Sequence, residues 1–253
     1  MNPPVRSYFH GTSACLSALY RAERYGERVE LLKDEAFWPY KRWAVKAMGA
    51  MGQKDEAIRM AEASRDRRTD DADVDELCEE LLLASGRVDE AYKRYGLEAN
   101  RCGTYLTTFR AIAKKYPQKP PEEILADLVA ATPREEAKWF ATAKDLGLYK
   151  TAIALVATSP CDPKTLARAT RDFATWEPEF AVDAGYSALH WVAEGYGYEI
   201  SHADVRMAYA SAMKATEALG RGPDTKERIR ALAQGHNSGL LADALGFELG
   251  LRR

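Results

Sequence analysis

Met51–Ile58 reads MGQKDEAI, and Ser85–Tyr92 reads SGRVDEAY. Each has a Gly, then three residues, then Glu-Ala and a large side chain. Gly52 and Gly86 stand 34 residues apart, and each precedes its Ala (Ala57, Ala91) by five positions. A third copy, LGLYKTAI, sets Gly147 five residues before Ala152. A helical pattern flanks each copy on both sides. Ahead of Gly52, Pro39, Trp43, Ala47 and Met51 recur every four residues, which predicts one face of a helix. Ahead of Gly86, Val74, Leu77, Cys78, Leu81 and Leu82 form a second stripe. A Gly in this position permits the left-handed conformation that ends a helix. The small Ala then lets the next helix lie close against the first. The motif is the corner of a helical hairpin, and its recurrence predicts a stack of hairpins.

The 34-residue period with Gly and Ala at these places resembles the tetratricopeptide repeat, most clearly over residues 38–98. The resemblance implies an all-α fold: a right-handed α–α superhelix of stacked hairpins. Two features depart from that family. Glu79 stands where its first helix usually has a small residue, and the Pro that commonly closes each unit is missing. Gly147 also falls off the strict period. An irregular hairpin over TYLTTFRAIAKKY, a Pro-rich corner at Pro117–Pro121 and EEILADLVAA fits the gap. The opening segment is expected to be a further hairpin with its corner at Gly26.

Capping signals extend the all-α reading. TPREE places Thr132 as N-cap, Pro133 at the first helical position and Glu135 at the capping-box position. Asp162 and Pro163 repeat that pairing, Pro178 opens an apolar helix, Ser201 and Asp204 cap another, and Asp224 with Glu227 opens the next. Alternating β-branched strands are absent. The rhythm changes at Thr158–Pro163, which suggests hairpins over 1–158 and further helices over 159–253. Those later helices either continue the superhelix or form a small bundle.

Little in the composition points to chemistry. The formal net charge is -2, so nothing draws the chain as a whole toward nucleic acid or an anionic membrane. The basic Arg65, Arg67 and Arg68 are followed at once by acidic residues, a run that suits a helix N-terminus. Four scattered cysteines (Cys15, Cys78, Cys102, Cys161) without zinc spacing read as reduced thiols of a cytoplasmic protein. No signal peptide and no membrane span are expected. FHGTS and GHNSG match no nucleophile elbow, phosphate loop or metal motif. His190 lies in an apolar helix as a packed side chain, and capping accounts for His202 with Asp204. The five tryptophans read as helix packing, with one ring of FWPY (Phe37–Tyr40) exposed. EGYGYE (Glu194–Glu199) reads as a helix end and packed turn, with an aromatic binding loop as its alternative.

No catalytic residue, metal ligand or cofactor is assigned. The leading expectation is a scaffold that binds a protein or peptide, because stacked hairpins make a continuous concave surface. The resemblance implies that the first helix of each hairpin lines that surface. In this chain that selects Arg42 and Lys46, Glu76 and Glu80, Phe109, and Arg134. Together they describe a groove with a basic patch, an acidic patch and an aromatic anchor. The competing readings are a helical-solenoid enzyme acting on a nucleic-acid base, which needs a basic cleft and a carboxylate in an apolar setting, and a structural module of a larger protein.

Overall fold

The computed structural model describes residues 11–66, 70–235 and 239–251. Among them are fifteen α-helices and no strand. The fold is all-α. The chain divides into two compact units, residues 1–103 with 110–118, and residues 104–109 with 119–253. Thr158–Pro163 is no boundary between these units: it lies inside the second, where the Trp191 indole N–H donates to the Val156 carbonyl at 2.9 Å across it.

The first unit holds α1 (Thr12–Arg21), α2 (Tyr25–Leu32), α3 (Trp38–Ala50), α4 (Lys54–Glu62), α5 (Asp71–Leu83) and α6 (Val88–Ala91). The last runs on into a π-helical turn at Tyr92–Gly96. The unit also holds the C-terminal part of α7 (Tyr105–Lys115). Its hairpin corners share one backbone design. Gly52 and Gly86 are left-handed, at φ 84° and 73°. The residues that follow, Gln53 and Arg87, sit at φ/ψ −84°/50° and −87°/56°. The N–H of Gln53 reaches back to the Met48 carbonyl and that of Arg87 to Leu82, at 2.9 and 3.0 Å. Gly52 and Gly86 donate to Gly49 and Leu83. This Schellman pairing satisfies carbonyls that a helix end otherwise leaves without partners. Ala57 and Ala91 are both fully buried.

The first corner lies at Glu23 and not at Gly26, which is inside α2. Glu23 is left-handed at φ 56°, Arg24 follows at −80°/55°, and Arg24 donates to the Leu19 carbonyl. The hydrogen-bond pattern fixes the corner even where a side chain makes it costly. The buried face of α3 also differs from the expected stripe. Trp38, Ala44, Val45, Ala47 and Met48 are buried while Met51 is exposed, because the corner begins there and turns it outward. The expected stripe of α5 is buried throughout. Asp70 caps α5 by accepting from the Ala72 N–H at 3.0 Å.

The second unit holds the start of α7, α8 (Pro121–Ala130), a 3-10 turn at Glu136–Trp139, α9 (Phe140–Asp145), α10 (Tyr149–Thr158), α11 (Pro163–Phe173), α12 (Pro178–Ala193), α13 (His202–Leu219), α14 (Gly222–Ala233) and α15 (Gly239–Leu245). The corner design returns at Gly147 (φ 74°) and Leu148 (−84°/61°), with Ala152 fully buried. The helix start expected at Pro133 does not form. Arg134 takes a left-handed φ of 71°, and its N–H is accepted by the Glu136 side chain at 2.8 Å. Thr132 serves the preceding helix and the core instead, donating to the Leu128 carbonyl and accepting from the Trp139 indole at 2.7 Å. The Asp162 cap and the Ser201–Asp204 capping box form as expected. Helices α11, α12 and α13 pack closest at Gly185, where a Cβ would stand 2.7 Å from Ala212 Cβ and 2.9 Å from Thr170 Cγ2.

Candidate functional site

Four of the six residues expected to meet a partner lie on α3 and α5 of the first unit. Gly49 brings these helices together, since a Cβ there would collide with the Leu81 side chain. One turn earlier on α3, Lys46 reaches Glu80 of α5 at 3.7 Å. The two predicted pairs therefore share a surface. Arg42 is half-buried and Glu76 exposed, and neither has an ion-pair partner among the described residues. The Lys46–Glu80 pair is solvent-screened and contributes little to stability.

The other two residues belong to the second unit. Arg134 is exposed on its left-handed turn. Phe109 is 4% exposed and forms part of the core, so it cannot act as an accessible anchor. An aromatic every few residues on an amphipathic helix reads the same on either face, and packing decided this one.

Behind the α3–α5 surface, Glu79 explains the departure from a small residue at its position. It is 1% exposed. One carboxylate oxygen accepts from Tyr116 O–H and from Asn100 Nδ2 at 2.7 Å, and the other from Lys115 Nζ at 2.7 Å. Burial first, and then the Glu79 hydrogen bond, push the Tyr116 phenol far above its ordinary range. This is a carboxylate in an apolar setting, which the enzyme reading required. Both its oxygens accept from side chains of the same unit, so it clamps α5, the turn after the π-helical segment and α7.

The second unit carries a cleft that sequence reasoning did not single out. Its floor is Ala167 of α11, Ala188 and Val192 of α12, and Val205 and Ala208 of α13; its volume is about 340 Å³. Lys164, Arg168 and Arg171 line it from α11. Their spacing, four residues and then three, was the available signal, because it sets three cations on one face of a helix whose opposite face is apolar. The EGYGYE segment follows α12 and meets Lys164, whose Nζ donates to the Glu199 carbonyl at 3.0 Å. Gly195 and Gly197 are left-handed, Tyr196 packs edge-on against Trp191, and Tyr198 is exposed.

His190 lies against the Trp191 ring, with centroids 4.8 Å apart. Burial raises the thiols of Cys78 and Cys161 to about 11 and about 12, while Cys15 and Cys102 are exposed. Among the described residues no group of His, Cys, Asp and Glu has the makings of a metal site, and no helix is long and apolar enough to cross a membrane. His10, Arg67, Arg68 and His236 fall outside the described residues. No family model, curated protein or solved structure matches this chain.

Proposed function

We propose that the chain is a helical-hairpin scaffold that binds a protein or peptide partner, with Arg42, Lys46, Glu76 and Glu80 as contact residues, and that it carries no catalysis of its own. The observation that supports this is the Lys46–Glu80 pair. It sets the outward faces of α3 and α5 side by side as one surface of mixed charge. Close helix packing at Gly49 and the Glu79 clamp hold the backbone beneath it rigid. A rigid surface binds without a large ordering cost, and mixed charge favours a partner of complementary pattern over others.

The test is affinity capture from the native extract, comparing the wild-type chain with an R42E/K46E variant. Both side chains are partly exposed, and the circular dichroism spectrum is expected to stay unchanged. The variant is expected to lose most of its partner at low salt, with a smaller difference at high salt. Equal recovery of the same partners by both proteins would remove these residues from the interface.

A further inference from the structure

The cleft over α11, α12 and α13 is built for a particular occupant. Its carboxylates are already committed. Asp162 accepts from the Lys164 and Thr165 N–H groups at 3.3 and 3.0 Å, and also from the Thr165 hydroxyl. Asp204 closes the capping box with Ser201. These two groups offset the positive ends of α11 and α13. The cations of the α11 face are only partly engaged. Lys164 Nζ donates to the neutral Glu199 carbonyl at 3.0 Å. Arg168 donates to the Lys164 carbonyl and the Thr165 hydroxyl. Arg171 is met by its neighbour Asp172 at the surface. Lys164 acts on the Asp204 carboxylate across the cleft without a close ion pair, and Arg168 has no carboxylate partner among the described residues. Beside them the floor is apolar, and Met207 stands 45% exposed at the rim.

We infer that this cleft binds an acidic amphipathic helix, a segment about three turns long with apolar side chains on one face and carboxylates along its edge. Charge complementarity selects the carboxylates. The spacing selects the helix. Lys164 to Arg171 is seven residues of α11, about 10 Å at 1.5 Å per residue. Carboxylates at i, i+4 and i+7 of a second helix match that rise while sharing one edge. An extended strand covers the same distance in about three residues, and its alternating side chains put the first and last on opposite faces. The small side chains Ala167, Ala188 and Ala208 leave a trough into which the partner's apolar ridge packs, the helix-in-groove mode of recognition. This inference does not depend on the α3–α5 surface, which belongs to the other unit.

The test is a selection of displayed random 16-residue peptides on the immobilised full chain, followed by anisotropy titration of the fluorescent winners. Enriched peptides are expected to carry Asp or Glu at i, i+3 or i+4, and i+7 beside large apolar residues, and to gain helical circular dichroism on binding. An R168E/R171E variant, altered at two exposed positions, is expected to bind them at least tenfold more weakly, and raised salt to weaken wild-type binding. A208W, which fills the trough, is expected to abolish binding; should it unfold, the double-arginine variant decides alone. Winners without carboxylates, winners that bind R168E/R171E equally well, or no enrichment at all would overturn the inference. So would uptake of dodecanoate, sensitive to R168E/R171E, by a cleft that selects no peptide, since that marks a site for a small anionic amphiphile. Capture through the α3–α5 surface that survives R168E/R171E and is lost in R42E/K46E leaves the scaffold reading standing whatever the cleft does.

Discussion

Arg28 holds in the first hairpin the place that Ala57 holds in the second. Each is the fifth residue after a left-handed corner, each is fully buried, and each donates its backbone N–H to the residue just past the corner, Arg24 at 3.3 Å and Gln53 at 2.9 Å. The guanidinium is packed over Tyr20 and Trp43, with one Nη donating to the Leu16 carbonyl at 2.8 Å. Among the described residues Nε and the other Nη find no hydrogen-bond partner. Burial pulls Arg28 below the usual guanidinium range, though such a group stays charged. The cost of a buried, half-satisfied cation opposes the gain from its aromatic contacts. Arg28→Met, which keeps the volume, is expected to leave stability unchanged or raise it. Arg28→Ala, which leaves a cavity, is expected to lose about 3 kcal/mol. Urea midpoints of the two variants check this; a large loss for Met would show that the charge itself is required.

The corners make a paired expectation. Ala91→Leu should overpack the contact with the preceding helix and cost about 1–3 kcal/mol. Glu23→Gly should do the opposite, gaining about 1 kcal/mol by relieving a left-handed non-glycine residue. Chemical denaturation of both reads the shared design directly. An unchanged midpoint for Ala91→Leu would break the equivalence of the corners.

Removing the buried carboxylate should be severe. Glu79→Ala strands the Tyr116 hydroxyl and one Asn100 N–H, while Lys115, about a third exposed, turns to water. The expected loss is about 3 kcal/mol. Glu79→Gln keeps an acceptor and is expected to lose less. Equal losses for the two would mean that neither the volume nor a neutral acceptor suffices, and that the carboxylate charge facing Lys115 sets the role of this residue.

Asp183 supplies a pH dependence. Burial raises its pKa and Glu179 adds to the rise, against the lowering influence of Arg228 and Arg221. A carboxyl raised on folding contributes stability that is fully present below its unfolded pKa and is lost as pH rises through the folded value. Asp183→Asn is therefore expected to stabilise the protein at neutral pH, with the gain shrinking toward pH 3. Thermal melts of both proteins across that range test it. A gain that is constant with pH, or a loss at neutral pH, would contradict the sign.

The corners were legible because backbone geometry writes itself into residue choice. A left-handed helix end favours Gly, and a close crossing favours Ala, so Gly52, Gly86 and Gly147 announced themselves. Glu23 did not, because hydrogen bonding imposed the same conformation on a residue that gives no sign of it, and the nearby Gly26 drew attention instead. The site was less legible. Register picked out Lys46 and Glu80 but not their pairing with each other, and burial of Phe109 depends on which face the core takes, which local sequence does not specify. The α11 cations were visible as spacing; the trough beside them depends on small residues from three helices that only the fold brings together. Thr132 and Pro133 form a sound helix-start signal that lost to a tertiary hydrogen bond from Trp139.

The most direct test of partner binding is photo-crosslinking. Benzoylphenylalanine is placed singly at Arg42, at Met207 and, as a control, at exposed Thr151, and the proteins are irradiated in native extract. A scaffold that binds through these surfaces should give a discrete adduct from position 42 or 207 and none from 151. The adduct at 42 should be lost when Lys46 is reversed, and the adduct at 207 when Arg168 and Arg171 are reversed. No discrete adduct from either position, or adducts indifferent to the charge reversals, would contradict the binding function.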